Sequence, residues 1–519
     1  MKLRTWTIFA STLLCASFAH AHVGNPDIYA EGQAGPYKLF VVVRPPLVIP
    51  GVADVEVRSE TPGVQDIAIT PIPLTGEASK HPPVPEAMKQ SADDAAFFTG
   101  HLWIMATGSW QIRLAVNGAT GNGVVSIPVP ATAMGTLKMN IGLGVLLAGL
   151  GAFLFVSMIG IVGAAASQAK LAPGAPVPQA NHRSGYIAMA ICFALMVGAV
   201  ILGRAWWKAE ALSYSQNIYK PLQMAATLHP GNVLDLKLHD PGWLSQRKLD
   251  DFIQDHDHLM HLYVIRWPQM DIVAHLHPEP AGSGEFRLAL PSLPAGDYHL
   301  YADVVHASGF PETIVGQIKL PAISGRPLAG DDAEGTSAPI APPANKTQGA
   351  PENHASAQKF KLPDGYTMVW LNAGEIAAKS PLDLQFALLD PQGKPAQDMA
   401  LYMGMLGHAA FVKTDGAVFA HIHPTGTVSM AAYMIANPDV SMPNMGSGMG
   451  QPMSAEKTPM PNMPGMTMAP TALPNTVGFP YGFPSAGAYR IFVQMKHGQT
   501  IETGSFDAIV DPPAVQKAS

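Results

Sequence analysis

The chain has 519 residues, 48% hydrophobic and only 13% charged, with 49 glycines, 48 prolines and a net charge of −7. That length exceeds one ordinary domain and suggests two to four. The charge-poor, Gly/Pro-rich profile fits β-rich envelope domains with apolar segments rather than a cytosolic α/β enzyme, and the lack of a basic footprint argues against nucleic acid as a partner.

The first 21 residues read as a signal peptide. Lys2 and Arg4 supply the positive end, TIFASTLLCASFA the apolar core, and Ala19-His20-Ala21 the cleavage site. Cys15 follows Leu14, which is too large for a good lipobox, so cleavage after Ala21 is expected, leaving His22 at the mature N-terminus. The second cysteine, Cys192, lies in an apolar helix. The exported domains therefore contain no thiol, and any metal must be held by His, Met, carboxylate or backbone.

Residues 22–137 read as strands punctuated by Pro and Gly, for example YKLFVVVRP and SWQIRLAV. Two stretches in 138–208, namely 139–166 and 186–207, are long and apolar enough to span a bilayer. Basic residues flank both sides, so the cleavable signal sets the orientation: exported domain, hairpin with a short cytoplasmic loop, exported remainder. Strand-like sequence resumes over 209–320 and 359–513, separated by a Pro/Ala/Gly/Ser-rich stretch, 321–358, expected to be a flexible linker.

The last two domains are copies of one pattern. LMHLYVIR…IVAHLHPEP matches LGHAAFVK…VFAHIHPTG, and LPAGDYHLYADVVHASG matches PSAGAYRIFVQMKHGQT. The register pairs His261 with His408, His275 and His277 with His421 and His423, and His306 with His497. In a strand, residues i and i+2 share a face, so each H-x-H can present two imidazoles side by side. Pro278 or Pro424 then ends the strand. His261 and His306 are expected on neighbouring strands of one sandwich, so three or four imidazoles can converge within a domain. Copper or zinc accepts neutral imidazole readily. The competing reading is a set of buried, hydrogen-bonded histidines at a domain edge.

The third domain adds sulfur. YMGMLGH is read as placing Met403 and Met405 on one strand face beside His408, and residues 430–468 carry ten of the 26 methionines. That insert is expected to be a mobile loop collecting Cu(I) through thioethers, against low-complexity drift or a sticky docking loop. In the second domain Asp250, Asp251, Asp255 and Asp257 surround His256 and His258 and read as a solvated loop. His22 is a weak third candidate, with His81 and His101 as the available partners in its domain. There is no P-loop, GxGxxG, H-E-x-x-H or nucleophile elbow, and no catalytic set stands out, so an enzyme is the less favoured reading.

HDHLMHLYVIR…HLHP…LPAGDYHLYADVV resembles the YtkA-like and FixH-like exported domains of bacteria. The resemblance implies small cupredoxin-like β-sandwiches, an exported location and a copper link through His261, His275, His277 and His306. It covers 209–320 well, 359–511 through the repeat and 22–137 loosely, and it leaves the methionine insert unexplained. The layout is similar, in architecture alone, to the particulate methane monooxygenase B subunit; here the H-x-H follows the helices instead of preceding them. The resulting expectation is a mainly β protein: three Ig/cupredoxin-like sandwiches on a two-helix transmembrane hairpin in a bacterial inner membrane, domains facing the periplasm. It would bind copper for delivery to a copper-dependent envelope protein or copper transporter, or for tolerance. A non-metal scaffold subunit is the alternative, and a copper-enzyme subunit comes third.

Overall fold

The structure, a computed structural model, describes residues 27–172, 174–243, 247–340, 357–439 and 472–513. It is mainly β, with three pairs of packed sheets, antiparallel except where Ile376–Ala377 runs parallel to the last strand, and one helical hairpin. In the first domain a five-stranded and a four-stranded sheet close over Leu39, Val41, Ile112 and Ile127. Helices α1 (Ile141–Gln168) and α2 (Gln179–Gln216) follow. At ~1.5 Å rise per residue each exceeds the roughly 30 Å hydrocarbon thickness, and their apolar side chains face outward. Small residues let them cross closely: a Cβ at Gly185 would meet Gly163 O at 3.1 Å and Ser167 Cβ at 3.2 Å. The second helix runs past the expected end of its apolar stretch to Gln216.

The second and third domains each pair a four-stranded with a six-stranded sheet. What positions the site is how the two six-stranded sheets meet. Strand His261–Trp267 is buried through its first five residues. Leu262 and Val264 face their own sandwich core, while Tyr263 and Ile265 join an interdomain core with Ala410, Val412, Phe419 and Phe492. Strand His408–Lys413 does the same: Ala409 and Phe411 face inward, Ala410 and Val412 outward. Strands apolar on both faces must be covered on both, and here each repeat covers the other.

Two stretches expected to be loose are partly built into the fold. Within 321–358, Ala333–Thr336 pairs with Ile272–Leu276 as an edge strand. Within 430–468, Met430–Ala436 forms helix α3, capped by Ser429, and Asn437 exchanges hydrogen bonds with the Ser126 backbone of the first domain. Its alternation of small and bulky apolar residues buries Met430, Ala432 and Tyr433. The first domain also docks on the third: Glu31 N donates to Thr425 O and Thr427 N to Tyr29 O. Gly426 permits this approach, because a Cβ there would lie 1.9 Å from Tyr29 O.

Candidate metal centre

Strand parity decides which histidines meet. His261 continues the face of Tyr263 and Ile265, and His275 that of Val273; His408 and His421 likewise continue the faces of Ala410 and Phe419. All four therefore point into the interdomain seam, and His277 and His423 follow two residues on. The seam gathers two groups of three imidazoles, each with ring nitrogens within 4.8 Å of one another: His261, His275 and His277 from the second domain, and His256 from that domain with His408 and His423 from the third. His421 lies between them, its ring 5.4 Å from those of His261 and His275 and 4.6 Å from that of His423. His258 stacks on His277 at 3.8 Å.

The parity also overturns two expectations. Leu300, Ala302 and Val304 face the sandwich core, so His306, in step with them, points away from the seam. His497, in step with Ile491, Val493 and Met495, does likewise. Convergence within one sandwich holds for His261, His275 and His277 without His306, whereas His408 and His423 of the third domain meet His256 of the second. Met403 and Met405 are not on a strand face: residues 402–405 form a tight turn, with Met403 at φ 49°. Met405 packs against the first-domain core and Met403 against Tyr402 and Ala333. His22 and residues 440–468 lie outside the described residues; His81 and His101 are exposed, His101 bonding Asp54.

Sequence reasoning missed His256 and His258, set aside because they do not recur in the second copy. The structure shows why they do not: Asp255–His258 and Tyr402–Met405 are equivalent turns closed by the same bridge, so Met403 and Met405 stand where His256 and His258 stand. Of the loop read as solvated, Asp250 and Asp257 are exposed as expected, whereas Asp255 and His256 are buried, Asp255 accepting from Ala431 N.

Around the centre, most Nδ1 atoms are occupied and Nε2 atoms are left free. His256 Nδ1 donates to Met403 O at 2.8 Å and His423 Nδ1 to Val428 O at 3.2 Å. His277 Nδ1 pairs with Asp332 at 3.0 Å and His421 Nδ1 with Asp303 at 3.2 Å. In all four the Nε2 is buried without a hydrogen-bond partner, and His408 has neither nitrogen bonded. Metal-ligating histidines are arranged this way, with the outer nitrogen fixing tautomer and ring direction. Two of the orienting contacts exchange between repeats. His261 is registered opposite Asp303 and His408 opposite Gln494. Asp303 then holds His421 of the other repeat, and Gln494 Oε1 holds His275 at 2.9 Å.

One contact is more pointed. His261 Nδ1 and His275 Nε2 face each other at 3.2 Å. His261 Nε2 bonds Asp255 O at 2.9 Å, an atom that can only accept, so the hydrogen is on Nε2 and Nδ1 is a lone pair. His275 Nδ1 faces Gln494 Oε1 and the Tyr402 hydroxyl, whose own hydrogen goes to Asp331 O at 2.8 Å. Nδ1 is thus the donor and Nε2 a second lone pair. Two lone pairs at this separation repel unless a cation lies between them. Bonds of about 2.0 Å in a tetrahedral site give nitrogen–nitrogen edges of about 3.3 Å.

A proton is a poor candidate for that cation. Burial, the leading cause throughout, lowers His261 to about 3 and His256 and His423 to about 4. It holds His275, His277, His408 and His421 well below the usual imidazole value, with neighbouring imidazoles pushing the same way. At neutral pH all seven are neutral, the form that binds metal. A cavity of about 570 Å³ between the domains reaches the centre, lined by His261, His421, His423, Asp303 and Tyr301 among others. Burial raises Asp303 to about 7.

Among known families, residues 360–512 match the model of one described as a domain of unknown function (DUF8832), which covers the third domain alone. No curated protein matches the chain by sequence. Similar solved structures include a tetra-tandem repeat from the extending region of a large adhesion protein, 8% identical over 89% of this chain and 71% of that one, at TM-score 0.15. A bacterial ice-binding adhesin is 6% identical over 89% and 92%, at TM-score 0.14. Alpha-2-macroglobulin of E. coli is 10% identical over 92% and 26%, at TM-score 0.15. Likeness at these scores carries no weight for fold or function.

Proposed function

We propose that this chain is a membrane-anchored copper protein whose two C-terminal repeats clamp a multi-ion centre between them. The observation that carries the reading is the pair of opposed lone pairs on His261 and His275, flanked by four oriented imidazoles with free Nε2 atoms. Buried, neutral, all-nitrogen ligand sets suit copper best among the divalent first-row ions, and zinc is the competitor. The signal sequence and helical hairpin support an inner-membrane anchor with the repeats in the periplasm. From there copper could pass to a copper-dependent envelope protein or a transporter, or be held for tolerance. The resemblance to YtkA-like and FixH-like domains points the same way. A purely structural scaffold subunit would be expected to pair these nitrogens instead.

The test is copper titration of the full chain in detergent, with Cu(I) and Cu(II) against competing chelators and zinc. At least two copper ions per chain are expected, falling by at least one in His261→Ala/His275→Ala. A chain that stays metal-free in excess copper sinks the proposal, and a preference for zinc at equal availability reassigns the metal. A second reading, a copper-enzyme subunit, is favoured by the cavity that reaches His421 and His423. It requires turnover of a small substrate that scales with copper loading.

A further inference from the structure

The two histidines that parity turns away from the centre, His306 and His497, sit in matching constellations with one decisive difference. His306 is registered opposite Phe252 and His497 opposite Met399. The residues just before those partners, Asp251 and Asp398, each reach the histidine's Nδ1, at 2.7 and 3.2 Å. Two residues before each histidine, Val304 pairs with Glu312 and Met495 with Glu502. Both repeats thus build a His–Asp–Glu group on the last hairpin.

In the second domain the group is closed by a protein cation. His306 Nε2 bonds Glu312 at 3.1 Å, and Arg247 Nη1 bonds the other oxygen of Glu312 at 2.6 Å while Nη2 holds Asp240 at 2.7 Å. Every carboxylate there has a positive or hydrogen-bonding partner. In the third domain no arginine or lysine among the described residues ion-pairs with Asp398 or Glu502, and a third carboxylate, Asp364, stands in their place. His497 Nε2 faces Asp364 Oδ2 at 2.9 Å and Glu502 Oε1 at 3.9 Å, yet it is buried and makes no hydrogen bond. His497 is 7% and Glu502 6% exposed, while Asp364 opens to solvent and offers a way in. Three carboxylates converging on one buried imidazole, with no Lys or Arg among them, would be stabilised by a cation bound between Asp364, His497 and Glu502.

We propose that Asp364, His497 and Glu502, with Asp398 orienting His497, form a second cation site in the third domain, taking one divalent ion of the Mn²⁺ or Zn²⁺ class where its sister repeat uses the Arg247 guanidinium. The mixed nitrogen and carboxylate set differs in chemistry from the all-imidazole centre, and oxygen ligands suit Mn²⁺, which competes worst for imidazole alone.

The site is tested on the full chain in detergent, titrated with Mn²⁺ and followed by loss of the free-ion EPR signal. One Mn²⁺ per chain is expected, unchanged in His256→Ala/His408→Ala and weakened at least tenfold in Glu502→Gln. Asp364→Arg copies the sister repeat: it should abolish Mn²⁺ binding, keep copper uptake intact and unfold no earlier than the metal-free parent. No Mn²⁺ uptake at millimolar concentration, or uptake that survives both Asp364→Arg and Glu502→Gln, overturns the proposal. Failure of copper loading with Mn²⁺ uptake preserved would instead sink the interdomain centre and leave this site standing.

Discussion

The second and third domains share the order and register of their central strands and three matched pairs of histidines in the seam, yet they are not equivalent halves. The turn that supplies His256 and His258 in one repeat supplies Met403 and Met405 in the other. Asp303 orients across the seam from one side and Gln494 from the other. The comparison separates two kinds of position. The strand histidines form a framework that both copies keep, and the turns and orienting groups are where each copy sets its own contribution.

The largest expected effect comes from making the turns alike. His256→Met gives the second domain the residue of the third and removes a ligand from the group that joins both domains. Copper per chain should fall by about one; full stoichiometry with unchanged affinity would exclude His256 as a ligand. Acid acts on both repeats together. Because His261 titrates near 3 and His256 and His423 near 4 when folded, against about 6.5 when unfolded, and burial lowers the other four as well, the unfolded chain binds more protons between those values. Stability of the metal-free protein is thus lost as pH falls from about 6.5 toward 4 and is insensitive to these groups above that window. Thermal unfolding across pH 4–8 checks this, and a flat profile would mean the imidazoles are already hydrated.

The orienting pair separates more finely. Asp303→Ala should weaken copper binding about 10–100-fold, the usual cost of losing an outer-shell partner. Asp303→Gln, which copies Gln494, should recover most of that loss in the same chelator competition. The smallest effect belongs to Met405→Leu. Met405 packs in an apolar core, so its replacement should cost under about 1.5 kcal/mol and leave copper stoichiometry unchanged in chemical denaturation and metal analysis. A drop in copper would restore sulfur to the ligand set.

Strand content, the helical hairpin and the duplication were all legible in the sequence, since each rests on local pattern. His261, His275, His277, His408, His421 and His423 were legible through the repeat. Their meeting between domains was not, although the signal was present. Strands HLYVI and HAAFV are apolar at consecutive positions, so neither has a solvent face, and the histidines share parity with the outward set. His306 and His497 were grouped with them by recurrence, which cannot distinguish the two faces of a strand. His256 was overlooked for the opposite reason, since it recurs as Met403. Asp332 lay in a segment whose composition reads as linker, and its pairing with His277 depends on an edge strand of four residues.

The crosswise orienting contacts carry one more consequence. A patch that supplies a donor to its own image and receives the same in return is the geometry of a two-fold homodimer. When both halves are encoded separately in one chain, a substitution is no longer copied onto the opposite side. The centre is thereby free of symmetry: one turn carries imidazole where its twin carries thioether, and one domain closes its outer histidine group with Arg247 where the other brings up Asp364, each without imposing that choice on its twin.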